Sequence, residues 1–169
     1  RFAGLANSRT EDRSVKGNDL TLSGSITQTT AVGTFGQADA TDLFSYSGFS
    51  ASNYLGRTSD TDFDFGTGDF SIMFWVKDSN AGQAQNFMSR SDASLEAGDW
   101  LLQSQTDGAI DFYRYSGSTW VKIVETPVGT MVANAWTQII LAKKGNDFQF
   151  YINGQASGNK GTDSNSYTS

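Results

Sequence analysis

Residues 62–77 read DFDFGTGDFSIMFWVK, and this stretch decides the fold class. Its first half ends in Gly66-Thr67-Gly68-Asp69, a turn signal, because glycine reaches backbone angles that other residues resist. Its second half, Phe70–Val76, is a short run of aromatic and long apolar residues bounded by turns, which indicates a β-strand. Alternate side chains share a face, so one face is wholly apolar and the other carries Met73 and Trp75. The pattern predicts a central strand that is covered on both sides over its middle.

The composition favours many short strands within one domain. A chain of 169 residues with 18 Gly and 1 Pro can bury a sizeable core, and small polar residues fill the spaces between its apolar runs. No run of eighteen consecutive apolar residues occurs, so no membrane-inserted segment is predicted. The chain begins at Arg1 without an initiator Met or a signal-peptide pattern, so we read it as a piece of a longer protein.

The net charge and the absence of two residue types exclude several kinds of partner, metal site and catalytic group. The net charge of −6, without a long basic tract, argues against nucleic acid as a partner. The absence of Cys excludes disulfides and thiolate metal sites. The absence of His removes the commonest general base and the commonest transition-metal ligand. We therefore expect a protein that is not an enzyme and has no cofactor, with calcium kept as an alternative.

The remaining apolar segments are strand-sized and separated by turn residues, with no long helical stripe. The predicted strands lie at 20–26, 43–49, 51–55, 85–90, 99–104, 109–115, 120–124, 136–143 and 148–152. Strands that are many and two-sided predict an all-β fold with two stacked antiparallel sheets. Residues 1–18 are polar and predicted to be an arm or linker, and residues 19–169 form the predicted sandwich.

Several of these segments carry a family pattern. Residues 52–55, 65–77, 108–113, 135–141 and 148–154 resemble, in order and spacing, the laminin G-like domains of the concanavalin A-like lectin/glucanase superfamily. The resemblance covers residues 40–155 and implies a jelly-roll sandwich. It implies little about activity, because the superfamily includes lectins, adhesion modules, hydrolases and spacers.

The upstream segments narrow the resemblance. Residues 12–21 and 46–55 look most like the entrance to such domains in bacteriophage tail and fibre proteins. This resemblance implies display on a virion, a host-surface glycan or other virion chains as partners, and a homo-oligomer such as a trimer. One departure concerns the end of the chain, where residues 158–169 are polar. The strand that closes the sheet in the family is therefore predicted to be missing or supplied by a neighbouring chain.

A cluster of aromatic residues gives the candidate carbohydrate site. Tyr113 and Tyr115 share one face of a predicted strand, and Trp120 begins the next strand after a four-residue turn. An aromatic ring can stack on the apolar face of a pyranose, so the three rings form a candidate binding surface, with Trp100 as a fourth candidate. The alternative is ordinary cross-strand packing. Trp75 and Trp136 stand inside apolar strands and are expected to lie in the core.

Four side chains with oxygen atoms are candidate ligands for a calcium ion. Asp78, Asn80, Asp92 and Asp99 lie in or beside predicted loops that could converge on one ion, although such residues also simply solvate a surface. Asp60, Asp62 and Asp64 do not form an EF-hand, since Phe65 and Ser71 occupy the positions that require Gly and Glu. We predict a solvated acidic turn there, with Phe63 and Phe65 directed into the core.

The sequence does not show the pair of carboxyl groups that glycoside hydrolysis requires. A retaining glycosidase needs two carboxyl groups at short spacing, whereas Glu11, Glu96 and Glu125 are isolated along the chain. The leading hypothesis is a non-enzymatic carbohydrate-binding or host-recognition domain of a phage tail or fibre protein, exposed on the virion. The alternative is a structural virion module that makes assembly contacts with capsid, tail or baseplate chains. A glycoside hydrolase is the third hypothesis.

Overall fold

The computed structural model describes residues 12, 14–30, 44–58, 60–91 and 94–168, and the chain divides into two units, residues 1–58 and 59–169. Most of the predicted arm or linker at residues 1–18 lies outside the described residues. Its division from a domain at 19–169 stays a prediction.

The first unit contains two antiparallel strand pairs. β1 (Thr21–Ser23) pairs with β4 (Tyr54–Gly56), and β2 (Thr27–Thr30) pairs with β3 (Phe44–Ser47). Shorter strands are confirmed at the predicted segments 20–26, 43–49 and 51–55, the last shifted by one residue, whereas no strand was predicted where β2 lies. A side chain at Gly24 would come 2.1 Å from the Asn53 side-chain oxygen, so only glycine fits where these strand ends meet.

The second unit contains two four-stranded antiparallel sheets. Its strands are β5 (Phe70–Lys77), β6 (Gln85–Arg90), β7 (Trp100–Ser104), β8 (Ile110–Tyr115), β9 (Trp120–Glu125), β10 (Trp136–Lys144), β11 (Asp147–Ile152) and β12 (Gln155–Thr162). Sheet one has the order β12-β11-β10-β5, and sheet two has the order β6-β7-β8-β9. Six strands predicted in this unit beyond β5 are confirmed to within a residue at each end.

Apolar side chains of both sheets form one core. Phe112 on β8 stacks with Phe148 on β11 and with Tyr167, at centroid distances of 5.7 and 5.8 Å. The fully buried side chains around them come from both sheets: Leu102, Ile110, Ile139, Leu141 and Phe150. This core between two sheets confirms the predicted all-β, two-sheet antiparallel jelly-roll sandwich. Within the described residues, no helix is long and apolar enough to cross a membrane.

The deciding strand, β5, alternates as predicted but is covered on one side. Ile72 is buried and Phe74 is partly buried against the core. Met73 and Trp75 point the other way and are 62% and 57% exposed. The expectation that both faces are covered is therefore wrong, because no described strand of the second unit covers the outer face of sheet one.

The turn before β5 is held by a buried lysine. The Lys143 ammonium, on β10, donates hydrogen bonds to the carbonyl oxygens of Thr67 (2.7 Å), Gly68 (3.2 Å) and Gly145 (2.6 Å). Lys143 is 3% exposed, so these three acceptors replace the water that the ammonium loses on folding. The Lys143 ammonium, near the end of β10, thus connects the turn before β5 with the turn at Gly145.

The polar C-terminal stretch completes the second unit. Residues 155–162 form β12 on the edge of sheet one, where side chains at Gly158 and Gly161 would collide with the carbonyl oxygens of Glu125 and Ile123 at 2.3 and 2.0 Å. A strand of this chain therefore follows Asn153-Gly154, although residues 158–169 are polar. That the family's closing strand is missing or supplied by a neighbouring chain stays a prediction. Glycine is needed here because β12 runs against the backbone of β9.

The segment after β12 then seals the core. Tyr167 is fully buried, and its backbone exchanges hydrogen bonds with Gly66 (2.9 and 3.3 Å). Its hydroxyl donates to the Asp163 carboxylate at 2.7 Å, and Arg114 donates to the same oxygen at 2.8 Å. Burial raises the pKa of Asp163, but the hydrogen bonds from Tyr167, Asn165 and Arg114 outweigh it and hold that pKa below its usual value.

The acidic turn is confirmed in part, since Phe65 packs against the core but Phe63 is not among the side chains packed there, and Asp64 is ion-paired and only 23% exposed. Asp60 caps a single 3₁₀ turn, Thr61–Phe63, by accepting a hydrogen bond from the Asp62 backbone at 3.0 Å. Asp64 forms an ion pair with Arg90. Phe65 stacks on Phe70 with a centroid distance of 4.2 Å. The turn therefore directs an aromatic ring into the core.

Candidate functional site

The β8–β9 hairpin brings the three predicted aromatic residues onto the outer face of sheet two. Tyr115 is the register partner of Trp120, and their ring centroids lie 5.3 Å apart at an interplanar angle of 58°. Tyr113 follows on the same face, opposite Lys122. All three rings are partly exposed, and we call them the aromatic platform (Tyr113, Tyr115 and Trp120). Sequence reasoning therefore placed these rings together correctly, while their role stays a prediction.

Polar groups surround Tyr113. Its hydroxyl donates to the Asp111 carboxylate at 2.7 Å and accepts a hydrogen bond from Gln105 at 3.3 Å. Asp111 is buried, and its second carboxylate oxygen has no hydrogen-bond partner among the described residues. Buried acceptors are normally paired, so this oxygen marks unused hydrogen-bonding capacity beneath the platform.

Lys122 links two carboxylates on this face. Its ammonium contacts Glu125 and lies 3.6 Å from Asp111. Glu125 is also the register partner of Asp111, so two acids that are far apart in sequence become neighbours. This pairing could not be predicted from the strand pattern, because it depends on the bulge that shifts β8 against β9 between Phe112 and Tyr113.

The electrostatics fix the protonation of two groups at neutral pH. Burial, followed by the hydrogen bond to Asp111, raises the pKa of Tyr113 to about 12, so the phenol keeps its proton. The hydrogen bond to Glu125 raises the pKa of Lys122, so its amine stays charged. The site thus offers a neutral hydroxyl, an ammonium and carboxylate oxygens beside the aromatic platform.

Trp100 is not part of the platform. It is 3% exposed and lies in the core beside Phe65 and Phe112, with centroid distances of 5.7 and 6.0 Å. Its indole therefore cannot present a ring face to a sugar, and that part of the site prediction is wrong. The cause is alternation, since Trp100 pairs with the inward-facing Arg114.

Two other tryptophans lie on the surface instead of in the core. Trp75 and Trp136 are 57% and 50% exposed on the outer face of sheet one. Register places Trp75 opposite Gln138 and Trp136 opposite Lys77, so all four residues share that face. Lys77 and Gln138 are polar residues on the same face and could have indicated that it is exposed. The apolar residues next to Trp75 and Trp136 along the strands led to the prediction of a core position instead.

The three candidate calcium ligands that the structure describes, Asp78, Asn80 and Asp99, do not all lie at one place. Asp78 binds Gln85, which pairs with Ser104 at one end of β7, whereas Asp99 precedes Trp100 at the other end. A strand rises about 3.3 Å per residue, which separates the two ends of β7 by roughly 13 Å. Asn80 lies beside Asp78, and Asp92 lies outside the described residues. Among the described residues, no three acidic side chains are grouped closely enough to hold a metal ion.

An open groove lies at one end of sheet one's outer face. Its volume is about 560 Å³, and it is lined by Asp69, Ala142, Lys144, Gly145, Asp147, Gln149, Tyr151 and Lys160. Lys160 pairs with Asp147 at 3.2 Å, and Asp69 accepts a hydrogen bond from the Gly145 backbone at 2.7 Å. The groove therefore contains charges of both signs and a single aromatic ring.

The comparison with protein families agrees with this fold. A laminin G-like model described as the concanavalin A-like lectin/glucanases superfamily matches residues 49–169. Among solved structures, the chain is similar to carbohydrate binding module CBM66 from Bacillus subtilis, at 20% identity and a TM-score of 0.43. The matched region covers 57% of this chain and 60% of the matched chain. This chain therefore spans less than two thirds of the matched structure. None of the curated proteins matches the chain.

Proposed function

This chain belongs to the concanavalin A-like lectin/glucanases superfamily, and we propose that it is a non-catalytic carbohydrate-binding domain. The proposed site is the aromatic platform on the outer face of sheet two, together with Asp111, Lys122 and Glu125. The ligand class is an uncharged oligosaccharide, because the two carboxylates exceed the single ammonium and would disfavour an acidic sugar.

One observation carries the proposal: aromatic rings and hydrogen-bonding groups share one face within two adjacent strands. The Tyr115–Trp120 pair offers apolar ring surface for the C–H face of a pyranose. Tyr113, Lys122 and Glu125 stand beside the rings and can bond hydroxyl groups at the sugar's edge. Because the rings are fixed by cross-strand contacts and Tyr113 by its bond to Asp111, little ordering is needed on binding.

Binding is favoured over hydrolysis by the position of Lys122. A glycosidase needs space for the scissile bond between two carboxyl groups. Asp111 and Glu125 are the acids that share the platform's face, and the Lys122 ammonium contacts both of them. The place where a glycosidic oxygen would have to sit is therefore taken by a cation.

A glycan array tests the proposal directly. The parent domain is expected to bind uncharged oligosaccharides, and Trp120→Ala should remove that binding. Trp136→Ala is the matched control, because it deletes an exposed indole on the opposite sheet. We expect binding to persist in EDTA, since the contacts involve rings, amide, ammonium and carboxylate groups. An array without signal, or an unaffected Trp120→Ala variant, contradicts the proposal, and release of reducing sugar would indicate an enzyme.

We further propose that the domain is displayed on a phage tail or fibre, where it meets host-surface glycans and neighbouring virion chains. The support is the resemblance of residues 12–21 and 46–55 to domains of such proteins. Gold-labelled antibody against the domain should decorate the tails of intact particles in electron micrographs. Labelling of heads alone, or of no particle, would contradict this location.

A further inference from the structure

A row of polar side chains crosses the outer face of sheet two beside the aromatic platform. Register pairs Glu125 on β9 with Asp111 on β8, Asp111 with Gln103 on β7, and Gln103 with Asn86 on β6. We call these four residues the polar row. Directly paired side chains lie about 5 Å apart on one face of a sheet, so the row is continuous from one edge strand of sheet two to the other.

Asp111 is buried although it lies on the face that points away from the core. Its neighbours along β8, Ile110 and Phe112, are fully buried in the core, so alternation directs Asp111 outward. It is nevertheless 2% exposed, and one of its carboxylate oxygens has no hydrogen-bond partner among the described residues. An acid that only kept the sheet soluble would stand in water, because burying an acceptor without a partner costs free energy. The row thus holds acceptor capacity that the folded chain leaves unused.

Tyr113 joins the polar row to the aromatic platform. Its ring belongs to the platform, while its hydroxyl donates to Asp111 at 2.7 Å and accepts from Gln105 at 3.3 Å. The same hydroxyl also interacts with the Gln103 side chain. Tyr113 lies two residues before Tyr115 and two after Asp111, so each step along β8 is roughly 7 Å. A ligand that covers the rings therefore reaches the row without a gap.

We propose that the aromatic platform and the polar row form one extended track for a linear, uncharged polysaccharide, which lies obliquely across sheet two from Trp120 to Asn86. This inference rests on the proposed carbohydrate-binding function and adds Gln103 and Asn86 to its site. Trp120 and Asn86 are separated by roughly 13 Å along the strands and 14 Å across them, which gives a track of about 20 Å. A pyranose unit is about as long as one strand spacing, so the track takes about four units.

The groups along the track match a chain of sugar units better than a single terminal sugar. Trp120 and Tyr115 offer ring surface at one end. The amides of Gln103 and Asn86 can each donate and accept, as each sugar hydroxyl does. Recognition of one terminal sugar needs a concave site that encloses it. The row instead reaches the edge strands β6 and β9, so no strand of sheet two blocks a chain at either end.

The affinity should therefore rise with chain length until the track is filled. Each unit beyond the rings gains hydrogen bonds from the row, and one such bond is worth about two- to tenfold in affinity. Units beyond the fourth extend past Asn86 and gain nothing further from the row. A site made of the rings alone would bind short and long chains equally well.

Isothermal titration calorimetry with linear gluco-, manno- and xylo-oligosaccharides of one to six units tests the inference. For a series that binds, the dissociation constant should fall at least about tenfold from the dimer to the tetramer and change little beyond it. The Asn86→Ala, Gln103→Ala double variant should raise the tetramer's dissociation constant at least about fivefold and leave that of the dimer unchanged. Gln138→Ala is the matched control, because it removes an amide from the outer face of sheet one, and it should bind like the parent.

Two results would overturn the extended track and leave the platform intact: equal affinity of the parent for dimer and tetramer, or unchanged tetramer binding by the double variant. Asn86 is exposed, so Asn86→Ala alone repeats the test if the double variant melts at a lower temperature than the parent. It should weaken tetramer binding at least about twofold, and an unchanged affinity would overturn the track. Failure of the parent to bind any of the three series would instead contradict the proposed function, and the track with it.

Discussion

Replacing Tyr167 by Ala is expected to destabilise the second unit more than any surface substitution, because this residue seals its core. The ring is fully buried and lies within 5.7 to 5.8 Å of Phe70, Phe112 and Phe148. Its hydroxyl donates to Asp163, which also binds Arg114. One side chain thus joins the C-terminal segment to both sheets.

The size of the effect follows from these contacts. Truncating a buried aromatic side chain to Ala costs about 3–5 kcal/mol of unfolding free energy. At about 2–4 °C per kcal/mol for a chain of this size, the melting midpoint should fall by roughly 6–20 °C. Tyr167→Phe keeps the ring and loses only the hydrogen bond to Asp163, so about 1–2 kcal/mol should be lost.

Urea unfolding followed by tryptophan fluorescence measures these differences. Tyr151→Ala is the control, since it removes an exposed tyrosine from the outer face of sheet one and should change stability by less than about 0.5 kcal/mol. A loss below about 1 kcal/mol for Tyr167→Ala would refute the reasoning. It would mean that the C-terminal segment does not contribute to the core.

Three further predictions concern pH and the buried lysine. Hydrogen bonds lower the pKa of Asp163 in the folded chain. The carboxylate therefore contributes to the free energy of unfolding above the unfolded pKa of about 3.9, and this contribution is lost as the pH falls further. Asp163→Asn should accordingly make the stability of the domain less dependent on pH in this acidic range. Tyr113 has a folded pKa raised to about 12, so its contribution is present below the unfolded value of about 10 and is lost as the pH rises towards 12. Tyr113→Phe should therefore lose less stability over that alkaline range, and an equal loss would contradict the shift. Lys143→Met leaves three carbonyl oxygens without their donor and should cost about 1–3 kcal/mol in urea unfolding, whereas a neutral result would show that the ammonium is dispensable.

Alternation along the chain was sufficient to predict most strands, because strand periodicity is a local property. β5 and β11 show it clearly, with Ile72, Phe148 and Phe150 buried as the pattern requires. β12 could not be found in this way, since it contains almost no apolar residue. Its place is set by close backbone contact of Gly161 with β9, which is a tertiary constraint that a period of two does not express.

Exposure of the tryptophans was harder to predict than the strands. Alternation assigns two faces to a strand, but it does not say which face another sheet covers. Trp75 and Trp136 stand in apolar strands and yet face solvent, whereas Trp100, a fourth candidate for the sugar site, lies in the core. The Tyr115–Trp120 contact was predictable because a four-residue turn leaves the two strands little choice of partner.

The measurement that tests the proposed function most directly is a two-dimensional NMR titration of the indole N–H signals. The chain has 4 Trp residues, which lie on the platform (Trp120), on the outer face of sheet one (Trp75 and Trp136) and in the core (Trp100). Adding an uncharged oligosaccharide that scores on the array should shift the Trp120 signal in a saturable way, while the Trp75 and Trp136 signals stay in place. Saturable shifts at Trp75 or Trp136, with Trp120 unmoved, would contradict the platform as the carbohydrate site.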